Sequence, residues 1–356
     1  MTSPRVSSRI ARSLLRLLPC LLAALPLAAQ VESAPKSPVV GSTGRDEAAP
    51  APRDFVTVEV PFGLRKPESD GLAPEVSAAR LDLGRRLFFD TLLSVDRSVS
   101  CSSCHLPDKG YADPRPRSIG VRGQVVQRNA PTLLNRYLGE AMMWDGRFET
   151  LEEQALAPIE NPHEMDLPID QALERLRASK TYVELFSRAW PEAPIDRKSL
   201  AGSIAHFVRH LRIGDSPIDR YMIDGDRKGL NALERRGHSL WEGRAQCWRC
   251  HRGDNFTDEV FHATGVGAVG GIAQPGRFLV TNDTDDLGRF KTPTLRGLAF
   301  TAPYMHDGSM ATLEEVVEFY DRGGNPHSNM DPEMFPLRLS ETDKKALVAF
   351  LLALSR

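Results

Sequence analysis

Apolar residues recur at helical spacing along most of the chain. In residues 76–90, Val76, Ala79, Leu83 and Leu87 lie three or four positions apart, which places their side chains on one face of an α-helix. The same spacing predicts further helices over residues 168–178, 180–190, 197–212, 231–242, 311–322 and 340–354. Ser340 and Asp343 form a pair that typically caps the start of a helix. The pattern therefore predicts an all-α protein.

The first 53 residues do not share this pattern. Four arginines precede an apolar run over residues 17–27 and a small-residue end at 28–29, which is typical of a cleaved secretory signal peptide. We place the signal peptide at residues 1–29. Residues 30–53 are rich in Pro, Ala and Ser and predict a flexible linker. No later stretch is long and apolar enough to cross a membrane, so we expect an exported protein without stable membrane insertion.

Removal of the signal peptide changes both charge and cysteine count. The formal net charge moves from −2 to about −6 when the four arginines leave, which argues against a nucleic-acid partner. Cys20 leaves as well, and the four remaining cysteines all lie in two copies of C-x-x-C-H, at residues 101–105 and 247–251.

This motif attaches c-type haem, since two thiols bond the porphyrin and the histidine ligates the iron. A single copy could also be a disulfide turn or half of a zinc site. A zinc site needs two more ligands nearby, and two copies in an exported chain favour haem. The candidate haem-binding and iron-ligating residues are Cys101, Cys104, His105, Cys247, Cys250 and His251.

A predicted helix precedes each motif, at residues 76–90 and 231–242. Between the two units, residues 214–217 (GDSP) interrupt the helical pattern. We therefore expect two cytochrome c-like haem domains in tandem, the first over residues 54–213 and the second over residues 214–356.

Several short motifs accompany the two haem motifs. They are RNAPT at 128–132, WDGR at 144–147, ENPHEM at 160–165, TAPYMH at 301–306 and YDRGG at 320–324. In this order and spacing they resemble the bacterial di-haem cytochrome c peroxidase family, which includes the MauG-type enzymes. The resemblance covers residues 75–354. It implies two covalent c-type haems, a periplasmic haem peroxidase that acts on hydrogen peroxide, and often a homodimer.

The resemblance also implies catalytic residues at the first haem. Gln154, Pro158 and Glu164 stand at the family's spacing after Trp144. A carboxylate beside the haem can move a proton between the two oxygens of peroxide, and we expect Glu164 to do so, with Gln154 orienting the ligand and Pro158 shaping the pocket. On composition alone, Glu164 is one of 47 acidic residues. Trp144 resembles the family's tryptophan that bridges the two haems.

An inter-haem calcium site is a further implication of the resemblance. Asn129 would supply its side-chain oxygen, and Thr301 and Pro303 their backbone carbonyls, which are the hard ligands that Ca²⁺ prefers.

Two positions depart from the usual peroxidase pattern. Val121 occupies the place of a histidine that blocks the first iron in many relatives, and residues 106–162 contain no histidine. We therefore expect an open, five-coordinate first haem that reacts with peroxide without prior reduction.

The second departure is Tyr320, which occupies the place of the methionine that usually ligates the second haem. MauG-type enzymes have tyrosine there, and its phenolate favours oxidised iron. Tyr320 also belongs to an apolar helical stripe and could simply be core. Four methionines are alternative ligands: Met305, Met310, Met330 and Met334.

Two histidines on one predicted helix belong to none of these motifs. His206 and His210 are four positions apart, a spacing that can hold a metal, but the apolar stripe of the helix faces elsewhere. We expect both side chains to lie in solvent.

Three functions follow from these residues. The first is reduction of hydrogen peroxide to water with electrons from a small periplasmic cytochrome c or copper protein. The second is MauG-type oxidation of a partner protein, for which Val121 and Tyr320 speak. Against it, Ala245 stands where the methylamine enzyme has a surface tryptophan. The third is a di-haem electron carrier, which would need neither Glu164 nor Gln154.

Overall fold

The computed structural model describes residues 55–356, so the predicted signal peptide and linker lie outside the described residues. Helices dominate this part of the chain. They are α1 (Pro74–Phe89), α2 (Leu151–Glu160), α3 (Ile169–Ala178), α4 (Lys180–Ala189), α5 (Arg197–Arg209), α6 (Pro217–Asp219), α7 (Ala232–Glu242), α8 (Phe278–Thr281), α9 (Leu313–Asp321) and α10 (Glu341–Ala353). Two short antiparallel strands, β1 (Phe261–His262) and β2 (Phe290–Lys291), pair with each other. The described chain is mostly helical, in agreement with the all-α prediction.

Each helix that the apolar spacing predicted is present, with ends shifted by a few residues. The predicted cap of α10 is confirmed, because the backbone N–H of Asp343 donates to Ser340 Oγ at 3.2 Å. Helix α2 was not predicted. It contains Pro158, which usually ends a helix, and it is stabilised at its start by reciprocal hydrogen bonds between Thr150 and Glu153.

Helix α1 crosses helix α5 in close contact at Gly84. A Cβ atom at this position would lie 2.0 Å from the carbonyl oxygen of Ser203 and 2.9 Å from Cβ of Phe207. Only glycine allows the two backbones to come this close. The crossing packs Leu83 and Leu87 of α1 into a buried cluster that runs from Phe55 to Ile213.

Helix α7 crosses helix α10 in the same way at Gly237. A Cβ atom here would lie 2.0 Å from the carbonyl oxygen of Ala346 and 2.6 Å from Cβ of Phe350. This crossing belongs to a second buried cluster, which runs from Ile218 to Leu354. The helix before each haem motif is therefore held by a glycine contact with a later helix.

Polar contacts link residues on either side of the predicted domain boundary. The side-chain amide of Asn135 donates to the carbonyl oxygen of Ile213 at 2.8 Å and to Oδ1 of Asn255 at 3.1 Å. The described residues 55–356 belong to one compact unit, and the tandem division into 54–213 and 214–356 stays a prediction. Within residues 55–356, no helix combines the length and apolarity that crossing a bilayer requires.

The expectation that His206 lies in solvent was wrong. Its side chain is buried, with Nε2 3.2 Å from Ser77 Oγ of α1, and burial lowers its pKa to about 4. His210 is half-buried. The apolar stripe of α5 gave a wrong prediction because the helix is covered on nearly all sides. Even its polar positions are therefore removed from water.

Candidate active site

Both C-x-x-C-H motifs fold into the same short turn. Residues Cys101–Ser103 and Cys247–Arg249 each form one turn of 3₁₀-helix. The backbone N–H of His105 donates to the carbonyl oxygen of Cys101 at 3.0 Å, and that of His251 to Cys247 at 2.9 Å. In each motif the turn therefore places two thiols and one imidazole in a fixed order.

Both motif histidines are held by the same kind of hydrogen bond. His105 Nδ1 lies 3.0 Å from the carbonyl oxygen of Tyr111, and His251 Nδ1 lies 3.1 Å from that of Phe256. A carbonyl oxygen only accepts, so Nδ1 carries the proton and Nε2 keeps its lone pair. Burial also lowers the pKa of both imidazoles. Each histidine is thus oriented and neutral, as an iron ligand must be.

A cavity that is partly open to solvent adjoins the first motif. Its lining includes Cys104 and His105 together with all four predicted catalytic residues: Trp144, Gln154, Pro158 and Glu164. Gln154 and Pro158 come from α2, the helix that was not predicted. The structure therefore brings together residues that are up to 60 positions apart in sequence.

Glu164 is largely buried in this cavity, and burial raises the pKa of its carboxyl group. The side-chain amide of Asn161 donates to Glu164 Oε1 at 2.7 Å and opposes part of that shift. Gln154 Nε2 lies 3.9 Å from Met143 Sδ, a weak contact. Asn161 therefore fixes one carboxylate oxygen of Glu164. The carboxyl group and Gln154 both line the same cavity.

Val121 does not face this cavity. Its side chain is fully buried, and its backbone N–H donates to the carbonyl oxygen of Glu164 at 2.8 Å. The loop at the place of the usual blocking histidine is thus tied to the backbone of the acid. His163, to which the sequence assigned no role, does line the first cavity.

A second cavity, also partly open to solvent, adjoins the second motif. It is lined by Cys247, Cys250, His251 and Tyr320, and burial near the two thiols raises the pKa of Tyr320. Of the four alternative methionines, Met305 and Met334 also line it, whereas Met310 and Met330 are outside its lining.

Trp144 lines both cavities. Its indole Nε1–H donates to the carbonyl oxygen of Asn129 at 2.9 Å, and its ring centroid lies 6.3 Å from that of His306. The His306 ring in turn stacks on Phe290 at 3.6 Å. The indole is therefore fixed in the wall between the two cavities.

The predicted calcium ligands come from two segments that meet at His306. The backbone N–H of Asn129 donates to the carbonyl oxygen of His306 at 2.9 Å, and Thr301 and Pro303 precede His306 in the same segment. The Asn129 side-chain amide donates to the carbonyl oxygen of Arg115 at 3.2 Å, which leaves Oδ1 as an acceptor. The calcium site itself stays a prediction.

Two charged residues near the cavities were not predicted from the sequence. His262 of β1 lies between two carboxylates, with Nδ1 2.6 Å from Asp331 and Nε2 3.1 Å from Asp258. Asp258 and His262, together with Cys250, lie close enough to hold a metal ion, but Cys250 belongs to the haem motif. Lys291 of β2 lines both cavities. Neither residue belongs to a motif or a periodic pattern, so nothing in the sequence distinguishes it.

The residues present fit a c-type haem at each cavity. Each cavity holds a motif histidine with a free Nε2 lone pair and at least one motif thiol. The second cavity is mainly apolar, with aromatic walls such as Trp241 and Phe350, and it has an oxygen ligand available in Tyr320. The first cavity has an acid and an amide, Glu164 and Gln154, in its wall, and the lining of the second also includes Asp331 and Gln246. The two cavities therefore offer different side chains to a bound haem.

Known proteins resemble this chain in sequence and structure. The family model of the di-haem cytochrome c peroxidases matches residues 78–228. "Methylamine utilization protein MauG" of Methylorubrum extorquens is 39% identical over 292 residues, covering 82% of this chain and 81% of the relative. "Cytochrome c551 peroxidase" of Nitrosomonas europaea is 38% identical over 255 residues, 70% of this chain and 75% of the relative.

A solved structure gives the same result. A MauG-like protein associated with microbial copper homeostasis superimposes with a TM-score of 0.76 at 33% identity, covering 84% of this chain and 95% of that protein. With the two haem motifs and the two cavities, these similarities show that the chain belongs to the di-haem cytochrome c peroxidase family, a family of haem peroxidases that carry two c-type haems.

Proposed function

We propose that the protein is a periplasmic enzyme that reduces hydrogen peroxide to water at its first cavity, with electrons from a small cytochrome c or copper protein. The observation that carries the proposal is the position of Glu164 and Gln154 in the same cavity as His105. An electron carrier has no use for a buried proton-transfer group, and relatives named cytochrome c551 peroxidase share the family.

The haem, when bound, supplies an iron that coordinates peroxide and provides the electrons that cleave its O–O bond. The remaining chemistry is proton movement by the protein. Glu164 takes the proton from the inner peroxide oxygen and returns it to the outer one, so that the outer oxygen leaves as water. Asn161 holds Glu164 Oε1 at 2.7 Å, which leaves Oε2 for the proton. The raised pKa of Glu164 brings its acid and base forms closer in energy.

Gln154 and Pro158 are proposed to position peroxide. They lie one helical turn apart on α2 and both line the cavity. Pro158 lacks a backbone N–H, so the carbonyl oxygen of Gln154 loses its usual helical donor in the wall beside the reacting group. Trp144, in the wall between the cavities, is proposed to pass electrons from the second haem to the first.

The test begins with the ferric protein as isolated. Because Val121 lies outside the cavity and is tied to Glu164 by its backbone, we expect a five-coordinate, high-spin first haem. It should react with one equivalent of peroxide without prior reduction and turn over steadily with reduced cytochrome c. A low-spin, six-coordinate first haem in the resting protein contradicts the open site. Failure to consume peroxide in either redox state contradicts the function.

Oxidation of a partner protein is a second candidate. The observation that favours it is Tyr320, which lines the second cavity with His251, because a phenolate ligand stabilises oxidised iron and favours storage of oxidising equivalents. Relatives named MauG belong to the same family. Slow turnover with reduced cytochrome c, combined with peroxide-dependent modification of a co-encoded protein, would favour this function over the first.

Two structural features complete the proposal. Calcium is proposed to bind between the haems at Asn129, Thr301 and Pro303, and the chain is proposed to form a homodimer. Chelation should slow peroxide turnover and added Ca²⁺ should restore it, if the ion holds the two segments together. Sedimentation of the protein with and without Ca²⁺ measures the oligomeric state directly.

A further inference from the structure

A buried ionic cluster lies beside the wall between the two cavities. Lys291 Nζ lies 3.1 Å from Glu259 Oε2, and Arg136 Nη1 lies 3.0 Å from Glu259 Oε1. The side chains of Lys291 and Glu259 are each 7% exposed, and that of Arg136 is 11% exposed. Isolated charges at such depth are unfavourable unless paired, so the composition of this cluster calls for an explanation.

The cluster has two cations and one carboxylate. Glu259 accepts from both Arg136 nitrogens and from the backbone N–H of Glu140 at 3.3 Å, so its oxygens are fully used. Asp258 also acts on Lys291 electrostatically, but its carboxylate is held by His262. Glu259 therefore serves both cations, and it is the one carboxylate in ion-pair contact with Lys291 among the described residues.

The two cations of the cluster contribute to the lining of the cavities. Lys291 lines both of them, and Arg136 lines the first. Arg128 and Arg147 line the first cavity as well, whereas Glu164 is the single carboxylate in its lining among the described residues. Arg147 is already paired with Asp145 at 2.7 Å. The first cavity is thus positively charged and suited to a ligand that carries carboxylates.

We propose that Lys291 binds a propionate carboxylate of each haem, one from either cavity, and that Arg136 binds a propionate in the first cavity. An ammonium group has three N–H donors, and one of them serves Glu259. The other two are available to the two cavities. The inference uses the family's two c-type haems and holds for either candidate function.

The shared cation has a consequence for both irons. A positive charge nearby disfavours the ferric state relative to the ferrous state, so Lys291 raises the midpoint potentials of both haems together. Its backbone N–H donates to the carbonyl oxygen of Trp144 at 2.8 Å. The cation and the bridging indole are therefore held by the same strand, and the two haems are coupled through one charge.

The test compares two substitutions of opposite charge effect. Lys291→Met should lower the midpoint potentials of both haems, and Glu259→Gln should raise both, because the first removes a positive and the second a negative charge. Spectroelectrochemical titration at pH 6 measures them, since burial lowers the pKa of Lys291 to about 8 and the amine stays protonated there. Lys180→Met, on an exposed site of α4, is the matched control and should change neither potential.

If Lys291 and Glu259 had only a structural role, the two substitutions would not shift the midpoint potentials in opposite directions. Lys291→Arg should restore both potentials towards the native values. Unchanged potentials in Lys291→Met, a shift confined to one haem, or shifts of the same sign in the two variants would overturn the proposal. If the Lys291→Met variant does not retain two haems, the Glu259→Gln variant alone tests the proposal. Raised potentials at both haems then support the shared cation, and potentials that stay at the native values reject it.

Discussion

The two cavities share one way of holding a motif histidine and differ in most of the other side chains that line them. In each, Nδ1 donates to a backbone carbonyl five or six residues on, and a glycine contact fixes the preceding helix. The first cavity adds Glu164 and Gln154, and the second adds Tyr320. The scaffold thus holds the two motif histidines in equivalent ways, and the proposed difference between the two irons depends on a few lining side chains.

The wall between the cavities belongs to both. Trp144, Lys291, Pro293 and Thr294 line each cavity. The divergent sites are therefore separated by one layer of residues, and a change in this layer should affect both. Changes deeper in either cavity should affect only that cavity.

The largest effect is expected at the acid of the first cavity. Glu164→Gln keeps the shape of the side chain but removes the proton acceptor, so peroxide turnover should fall by about 10²- to 10⁴-fold. Stopped-flow mixing of the ferric protein with peroxide measures the rate. The ferric spectrum of the second haem should not change.

Glu160→Gln is the matched control for this substitution. Glu160 ends α2 at an exposed position and pairs with Arg197 at 3.3 Å, a surface pair of small energetic value. Its turnover should stay at the native rate. Equal losses in both variants would mean that Glu164 acts through the fold of α2 and not on peroxide.

The next effect is expected at the tyrosine of the second cavity. Tyr320→Phe removes the phenolic oxygen and should abolish the spectroscopic signature of a tyrosine-ligated ferric haem, with the first haem still open. Optical and electron spin resonance spectra of the ferric protein measure it. Tyr304→Phe is the control, because Tyr304 also lines this cavity while its hydroxyl donates to the carbonyl oxygen of Leu298 at 2.8 Å. An unchanged spectrum in Tyr320→Phe would assign the ligand to another residue, with Met305 and Met334 in the same lining.

The scaffold itself should respond equally in the two halves. Gly84→Ala and Gly237→Ala each place a Cβ atom 2.0 Å from a carbonyl oxygen of the crossing helix, and such overpacking costs about 1–3 kcal/mol of unfolding free energy. Denaturant unfolding of the haem-loaded protein, followed by the absorbance of each haem, measures the loss. Gly229→Ala, whose nearest neighbours lie 3.7 Å away, should be nearly neutral. A loss in only one variant would mean that the two crossings are not equivalent supports.

The smallest effect is the pH dependence of the first cavity. Glu164 must be ionised to accept a proton, and burial raises its pKa above the ordinary range of glutamic acids. The rate of the peroxide reaction should therefore fall by about tenfold per pH unit below that raised pKa and level off above it. The pH profile in Glu164→Gln should lack this limb. The spectrum of the second haem should not follow the same titration.

Local chemistry allowed much of this structure to be predicted. The helices with a clear apolar stripe were found, because burial of one face imposes the 3.6-residue period on the sequence. Helix α2 was missed because Pro158 contradicts local helix propensity, and its cap and its packing against α5 outweigh that cost. His206 was misplaced because α5 is enclosed on almost all sides, so its stripe does not mark an exposed face.

The sequence by itself determined the two haem motifs, the helical class and the residues that the family resemblance placed around the first haem, because these depend on neighbours in the chain or on fixed spacing. Only the tertiary structure decided which residues share a cavity. It placed Val121 behind the backbone of Glu164 and set Lys291 into both walls. It also buried Lys291 in an ion-pair cluster with Glu259 and Arg136. Burial and electrostatic pairing arise between distant segments of the chain, such as Arg136 and Glu259, which are 123 positions apart, and no local pattern encodes them.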